Sequence, residues 1–200
     1  MGQVKLGNNK NIGILGGTFD PAHIGHVIIS KTAKKRFKLD KIIWALTKKN
    51  PFKTKSSLSL KDRIKYAKNI NLKNRFIKIG FYEQIIKSNK TIDLIKYFVK
   101  KNKNSNIYFI MGADNLVNFH KWQNWKKFLN KISVVIFRRH GYNRDALKSI
   151  TSKTFENYQI KFKKLNQMHF TSLPSWAFIQ NKEIRISSTE IRKQRLLLRR

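Results

Sequence analysis

The chain has 200 residues, enough for one domain with a sizeable core, and no composition shift marks a boundary within it. It carries 44 Lys and Arg against 10 Asp and Glu, a formal net charge of +34, and no cysteine. These figures exclude a disulfide framework and a thiolate metal site, and the longest apolar runs fall far short of a membrane span.

The chain reads as a single domain over 1–200, with residues 1–10 as a loose extension. Met1 to Asn11 lacks the apolar centre of a secretory leader, and Leu6 stands where a myristoylation motif needs Ser or Thr, so the expected setting is the cytoplasm. The lysines are spread evenly among Asn and Ile, which reads as a compositional bias rather than a nucleic-acid interface. No RNA-binding aromatic signature accompanies them, and the basic end Arg195-Leu-Leu-Leu-Arg-Arg is short. A basic chain nonetheless attracts polyanions, nucleoside triphosphates included.

In chain order, Ile12 to Leu15 predicts a short buried strand ending at Gly16. The stretch GGTFDPAHIGH follows, residues 16 to 26, and leads into a helix predicted over Ile24 to Phe37 with Ile24, Val27, Ile28 and Ala33 on its buried side. A strand-to-helix turn of this kind presents free amides to anions, and its glycines let a ligand approach the backbone. His23 and His26 stand three apart at that helix start. Two imidazoles there can bind metal, act as acid and base, donate to phosphate oxygens, or form a purely structural pair. No nearby carboxylate or cysteine completes a local metal set. The preceding Gly17 and the Thr18 hydroxyl favour the phosphate role.

Further strands are predicted at Ile42 to Leu46, Phe76 to Ile79, Ile107 to Met111 and Ser133 to Phe137. Helices are predicted at Leu60 to Ile70, Ile92 to Lys101 and Trp122 to Leu129. This alternation predicts an α/β, Rossmann-like, doubly wound domain with a mainly parallel sheet. Its ligand site belongs beyond the carboxyl ends of the strands, at the switch point. Lys148 to Phe170 shows no clear elements. The closing RISSTEIRKQR predicts a helix beginning near Thr189, capped by Ser187 or Ser188.

With ten acids in all, none paired closely enough for a two-metal carboxylate cage, any phosphoryl-type transfer must rest on positioning and positive donors. Magnesium would then be carried by the triphosphate itself. No Ser-His-Asp or Cys-His arrangement suggests a covalent intermediate. Asp114, after the strand ending in Met111-Gly112, suits either a helix cap or ribose hydroxyls. Trp122 and Trp125 lie among polar neighbours, so at least one indole is expected at a cleft. Lys53, Arg139 and Arg192 follow strands or open a helix and can together line a phosphate-rich cleft.

GGTFDPAHIGH resembles the (T/H)xGH signature of the nucleotidyltransferase superfamily, and ISSTEIR resembles its second phosphate motif. The intervening NPFK, TIDL, MGADNLVNFHKW and RRHGY are similar to those of the bacterial nicotinate-nucleotide adenylyltransferase family, in the same order, from about Ile12 to Lys193. The resemblance implies one nucleotidyltransferase domain that joins ATP to nicotinate mononucleotide, giving deamido-NAD and pyrophosphate. It assigns Gly17, Thr18 and Phe19 to the ATP loop, and His23 and His26 to the phosphates. Gly112 and Asp114 fall on the adenosine and ribose contacts, and Ser188, Thr189 and Arg192 on the β- and γ-phosphate clamp. Of these, His23, His26 and Arg192 are the catalytic set. On the acceptor side it assigns Thr91 and the following amide to a carboxylate, Trp122 to the pyridine ring, and Lys53 and Arg139 to the acceptor phosphate. Two positions depart from the family: Phe52 replaces the His of Pro-His-Lys, and His140 the Pro of Arg-Pro-Gly. The competing functions are adenylyl transfer to another phosphorylated acceptor, such as phosphopantetheine, and a basic RNA-binding module. The oligomeric state is left open by the sequence.

Overall fold

The computed structural model describes residues 10–49, 56–161, 172–181 and 185–197. Strands β1 (Lys10–Gly17), β2 (Lys41–Leu46), β3 (Ile77–Phe81), β4 (Ser105–Gly112), β5 (Ser133–Phe137) and β6 (Trp176–Ile179) form one sheet in the order β3-β2-β1-β4-β5-β6. Every pairing between them is parallel. The predicted mainly parallel sheet is thus all-parallel among the described residues. Chain direction across the sheet reverses between β1 and β4, which opens the crevice at their carboxyl ends.

A parallel sheet covered on both faces needs apolar residues at both phases of the strand period. Ile42, Trp44 and Leu46 face one layer together with Tyr108, Ile110, Val135 and Phe137; it is closed by Val27, Ala33 and Phe37 of α1 (Ile24–Phe37) and Ala67 of α2 (Leu60–Ile70). The alternate positions Ile43, Ala45, Phe109, Met111, Val134 and Ile136 face the other layer. That layer is closed by α4 (Thr91–Lys101), which follows the short α3 (Glu83–Ile86), and by α5 (Ala113–Val117) and α6 (Trp125–Leu129). Helices α7 (Asn143–Leu147), α8 (Ile150–Thr154) and α9 (Ser188–Leu197) complete the described elements, with 3₁₀ turns at Phe119–Lys121 and Glu156–Tyr158. No helix among the described residues is long and apolar enough to cross a membrane.

The bounds of α1, α2 and β5 coincide with the sequence expectation, while β1 begins two residues earlier, at Lys10, and ends one residue later, at Gly17, than expected. Two expectations need correction. Ile24 is 47% exposed and Ile28 only partly buried; the inward side of α1 is Gly25, Val27, Ser30, Ala33 and Phe37. Ile24 is the first residue of α1, at the surface end of the helix, and its side chain stays largely in solvent. The helix expected over Trp122 to Leu129 is only its second half. Trp122 is extended (φ −76°, ψ 139°), and Asn124 takes the left-handed conformation (φ 58°) just before α6 begins.

Candidate active site

The turn between β1 and α1 is built from its own aromatic floor. Phe19 lies at φ 47°, a conformation that costs a non-glycine residue of order 1 kcal/mol. Its ring, 2% exposed, stacks on Trp44 at 4.9 Å and 15°, which fixes the turn against β2. The fully buried Trp44 donates from Nε1 to Ser30 Oγ (2.8 Å), and Ser30 Oγ donates to the His26 carbonyl (2.9 Å). His26 is therefore held from beneath, by a residue on the neighbouring strand.

His23 is the N-cap of α1 and His26 the third residue of the helix. The His23 N–H donates to His26 Nδ1 (3.2 Å), so the proton of the neutral His26 ring resides on Nε2. The two rings lie 3.9 Å apart. Burial, then the Arg139 guanidinium, lower His23 from 6.5 to about 4, opposed by Glu190. Burial and the His23 and Arg139 charges push His26 well below its ordinary value. Both imidazoles are neutral at pH 7.

This shift makes a pH prediction. The unfolded chain takes up the His23 proton near pH 6.5 and the folded one only near 4, so between these values the unfolded state binds more protons. Stability is complete above about pH 6.5 and falls as pH drops towards 4, by on the order of 3 kcal/mol. Denaturant midpoints measured across that interval check the sign, and His23→Gln should flatten the profile. A wild-type midpoint that rises on acidification would contradict it.

Asp20, within the same turn, is 5% exposed. Its carboxylate accepts from Ser57 N–H (2.7 Å), Ser57 Oγ (3.0 Å) and Leu58 N–H (3.1 Å), tying the turn to the approach to α2. The α9 end joins from the other side. Ser187 Oγ accepts from the Glu190 N–H (3.2 Å), the cap expected from the sequence, and Ser188 Oγ donates to the Pro21 carbonyl (3.0 Å). Arg192 donates from Nη1 to the Asp20 carbonyl (2.6 Å) and from Nη2 to Thr189 Oγ1 (3.0 Å).

Across the switch point, Gly112 caps α5 and Asp114 lies in its first turn, so Asp114 is not the cap. A Cβ on Gly112 would lie 2.5 Å from Asp114 Oδ1, so a side chain there would displace the carboxylate. Arg139, just beyond β5, donates from Nη1 to Asp114 Oδ2 (2.7 Å). Asp114 Oδ1 and His23 Nδ1 are buried, with no protein partner among the described residues.

On the far side, Thr91 is the first residue of α4, whose ladder begins with Leu94 N–H on the Lys90 carbonyl (3.3 Å). The Thr91 and Ile92 N–H groups precede that ladder. The Asp93 carboxylate in the same turn accepts from Ser88 Oγ (2.9 Å) and Lys96 Nζ (3.0 Å). Trp122 is half-buried, wedged against Phe119 (4.9 Å) and edge-on to Phe109 (6.3 Å).

These groups border one cleft of about 530 Å³ at the carboxyl ends of the strands, within the range of small-molecule sites. Gly17, Thr18, Phe19, His23 and His26 line it, as do Gly112, Asp114, Ser188 and Thr189, and so do Thr91, Trp122 and Arg139. Arg192 stands behind the lining, on the Asp20 carbonyl. Lys53 and Phe52 lie outside the described residues. Sequence reasoning missed the parts played by Asp20, Ser30 and Trp44, and by Arg63, whose Nη1 donates to the Thr18 carbonyl (2.6 Å), each of which acts through a partner distant in the chain. One local signal was present: Arg63 falls three after Leu60 and four before Ala67, on the apolar stripe of α2, where a charge needs a reason. Among the described residues no group of three or more His, Asp or Glu could hold a metal ion.

A 3-2-1-4-5-6 parallel sheet with a histidine-bearing turn at its switch point is a doubly wound nucleotide-binding architecture. A family model described as cytidylyltransferase-like matches residues 14–194. A protein of Pelagibacter ubique (strain HTCC1062) named probable nicotinate-nucleotide adenylyltransferase is 51% identical over 195 residues, covering 95% of this chain and 99% of its own. One of the same name from Ruegeria sp. (strain TM1040) is 34% identical over 183 residues, covering 92% and 96%. The chain belongs to the nicotinate-nucleotide adenylyltransferase family. The solved structure of Plasmodium falciparum nicotinic acid mononucleotide adenylyltransferase complexed with APC shares the fold, with a TM-score of 0.67 at 20% identity over 92% of this chain and 83% of that one.

Proposed function

We propose that the protein transfers the AMP moiety of ATP to nicotinate mononucleotide, releasing pyrophosphate and forming deamido-NAD for NAD biosynthesis. The observation that carries this reading is the convergence, in one cleft, of a paired-histidine turn with the α4 amides and the Trp122 ring. A phosphate oxygen of the mononucleotide attacks the α-phosphorus in line, the bond from that phosphorus to the bridging oxygen breaks, and pyrophosphate leaves with the electron pair. His23, His26 and the Gly17–Phe19 turn hold the triphosphate; Ser188 and Thr189 clamp its outer phosphates, with Arg192 bracing that clamp through Thr189 Oγ1. Asp114 meets the ribose, and the missing side chain of Gly112 leaves room for the Asp114 carboxylate there. Arg139 and Lys53 serve the acceptor phosphate. Magnesium enters as the ATP complex, and the cytoplasm, where ATP is abundant, is the fitting location.

The acceptor side predicts a preference for the acid over the amide. Thr91 offers a hydroxyl beside two N–H groups ahead of the helical ladder. A carboxylate accepts from them at both oxygens, whereas an amide turns its NH₂ donors towards them and leaves one unmatched. An unsatisfied donor in a closed site costs about 1–3 kcal/mol, or roughly tenfold to a hundredfold. Trp122 stacks on either ring, so Trp122→Ala weakens both acceptors together, while a Thr91 substitution narrows the gap. Pyrophosphate release from ATP with a panel of acceptors, comparing kcat/KM for nicotinate and nicotinamide mononucleotides, tests this. Equal values would show that the α4 turn does not read the carboxylate, and turnover only with phosphopantetheine would replace the reading altogether.

A further inference from the structure

We propose that Arg63 is a positioning residue for adenylyl transfer, setting the ATP turn and the acceptor side of the cleft at a fixed spacing. Arg63 sits in α2, does not line the cleft, and is 1% exposed. Its Nη1 donates to the carbonyls of Thr18 (2.6 Å) and Thr47 (2.8 Å), and its Nη2 to that of Lys48 (3.0 Å). Thr18 belongs to the turn that leads to the histidines. Thr47 and Lys48 follow β2 and lead towards Lys53. The Lys48 N–H in turn donates to Glu83 Oε1 (3.1 Å), at the start of α3 beyond β3. One buried cation thus grips the chain where it leaves β1 and β2, and reaches the exit of β3 through one intermediate.

The cost of this arrangement argues that it has a purpose. Burying a guanidinium costs several kcal/mol, offset here by three carbonyls on Nη1 and Nη2 while Nε has no protein partner among the described residues, and an apolar side chain at this position of α2 would fill the layer without that cost. Burial lowers the Arg63 pKa, and the facing Asp20 and Glu83 carboxylates oppose the shift. The planar fork serves three carbonyls from one side chain, which an ammonium on a flexible stem cannot do in the same geometry. What the fork fixes is the orientation of the Thr18 peptide, directly before Phe19 at φ 47° and so before the amides that face the triphosphate. Small misplacements of such groups are costly to rate even when the contacts themselves are untouched.

The inference rests on the ATP-dependent reading above, and the experiment separates the two. Arg63→Met and Arg63→Lys are compared with wild type by kcat on ATP and nicotinate mononucleotide, by calorimetric affinity for a non-hydrolysable ATP analogue, and by thermal unfolding. All kinetic and binding measurements are made at a temperature where circular dichroism shows the variant folded. The expected result is a kcat lowered about tenfold or more and analogue binding weakened several-fold, with Lys restoring part of both. If the methionine variant does not fold, the lysine variant decides. A folded variant that loses either quantity supports the proposal. Folded variants that match wild type in both, with only a lower Tm, overturn it and leave Arg63 a structural residue. A wild type that binds the analogue but turns over no acceptor would defeat the substrate reading alone, and the analogue affinities would still judge Arg63.

Discussion

Replacing His26 with alanine lowers turnover by about two to three orders of magnitude, the loss expected when one preorganised donor to developing phosphate charge is removed, about 2.7–4 kcal/mol. The structural reason is that the ring arrives already oriented. Its Nδ1 accepts from the His23 N–H, the carbonyl of the same residue is held by Ser30, and burial keeps the imidazole neutral with its proton on Nε2. The donor therefore needs no reorganisation as the α-phosphorus changes its partners. The effect should fall on kcat, with acceptor KM little changed, because the contact strengthens as pyrophosphate departs. Steady-state pyrophosphate release measures it. If His26→Ala retains wild-type kcat and merely melts earlier, the pair is structural and the phosphate role is wrong.

The largest stability loss is expected from Trp44→Ala, about 3–5 kcal/mol. Trp44 is wholly buried, stacks on Phe19 and donates to Ser30 Oγ, so truncation opens a cavity and removes a hydrogen bond at once. For a chain of this size that corresponds to a fall in Tm of roughly 6–20 °C. Trp44→Phe keeps most of the volume and forfeits chiefly the hydrogen bond, about 1 kcal/mol. Urea unfolding of the two variants separates packing from bonding. A loss below about 1 kcal/mol in the alanine variant would mean that the layer repacks and that the aromatic floor is not what holds the turn.

Much of this was legible locally. The apolar run before Gly16, the glycines and the helix starting at Ile24 locate the β1–α1 turn without any structure, because strand and helix periods change there. The residues that line the cleft were found through motifs that sit on strand exits. The rest depends on partners far along the chain. Asp20 is explained by Ser57, Trp44 by Ser30 and Phe19, and Arg63 by Thr18; the apolar stripe of α2 marks Arg63 as unusual, but no local pattern names any of these partners. The Trp122 to Leu129 segment carries a helical pattern that is overruled at Asn124, where a left-handed residue restarts the chain direction. The short strand β6, only Trp176–Ile179, follows a segment without periodicity and needs β5 as its template.

The contact between Asp114 and Arg139 gives the cleft its own counterion. In a chain of net charge +34, an unguarded guanidinium there would collect any passing anion. Instead, a phosphate that approaches Arg139 must compete with a carboxylate already at 2.7 Å, and displacing it would strand that carboxylate. On the proposed assignment both halves are recovered only with both substrates present, the ATP ribose hydroxyls replacing Arg139 at Asp114 and the acceptor phosphate replacing Asp114 at Arg139. Such a latch would open fully for the two substrates together and only in part for a bare anion, even on so basic a protein.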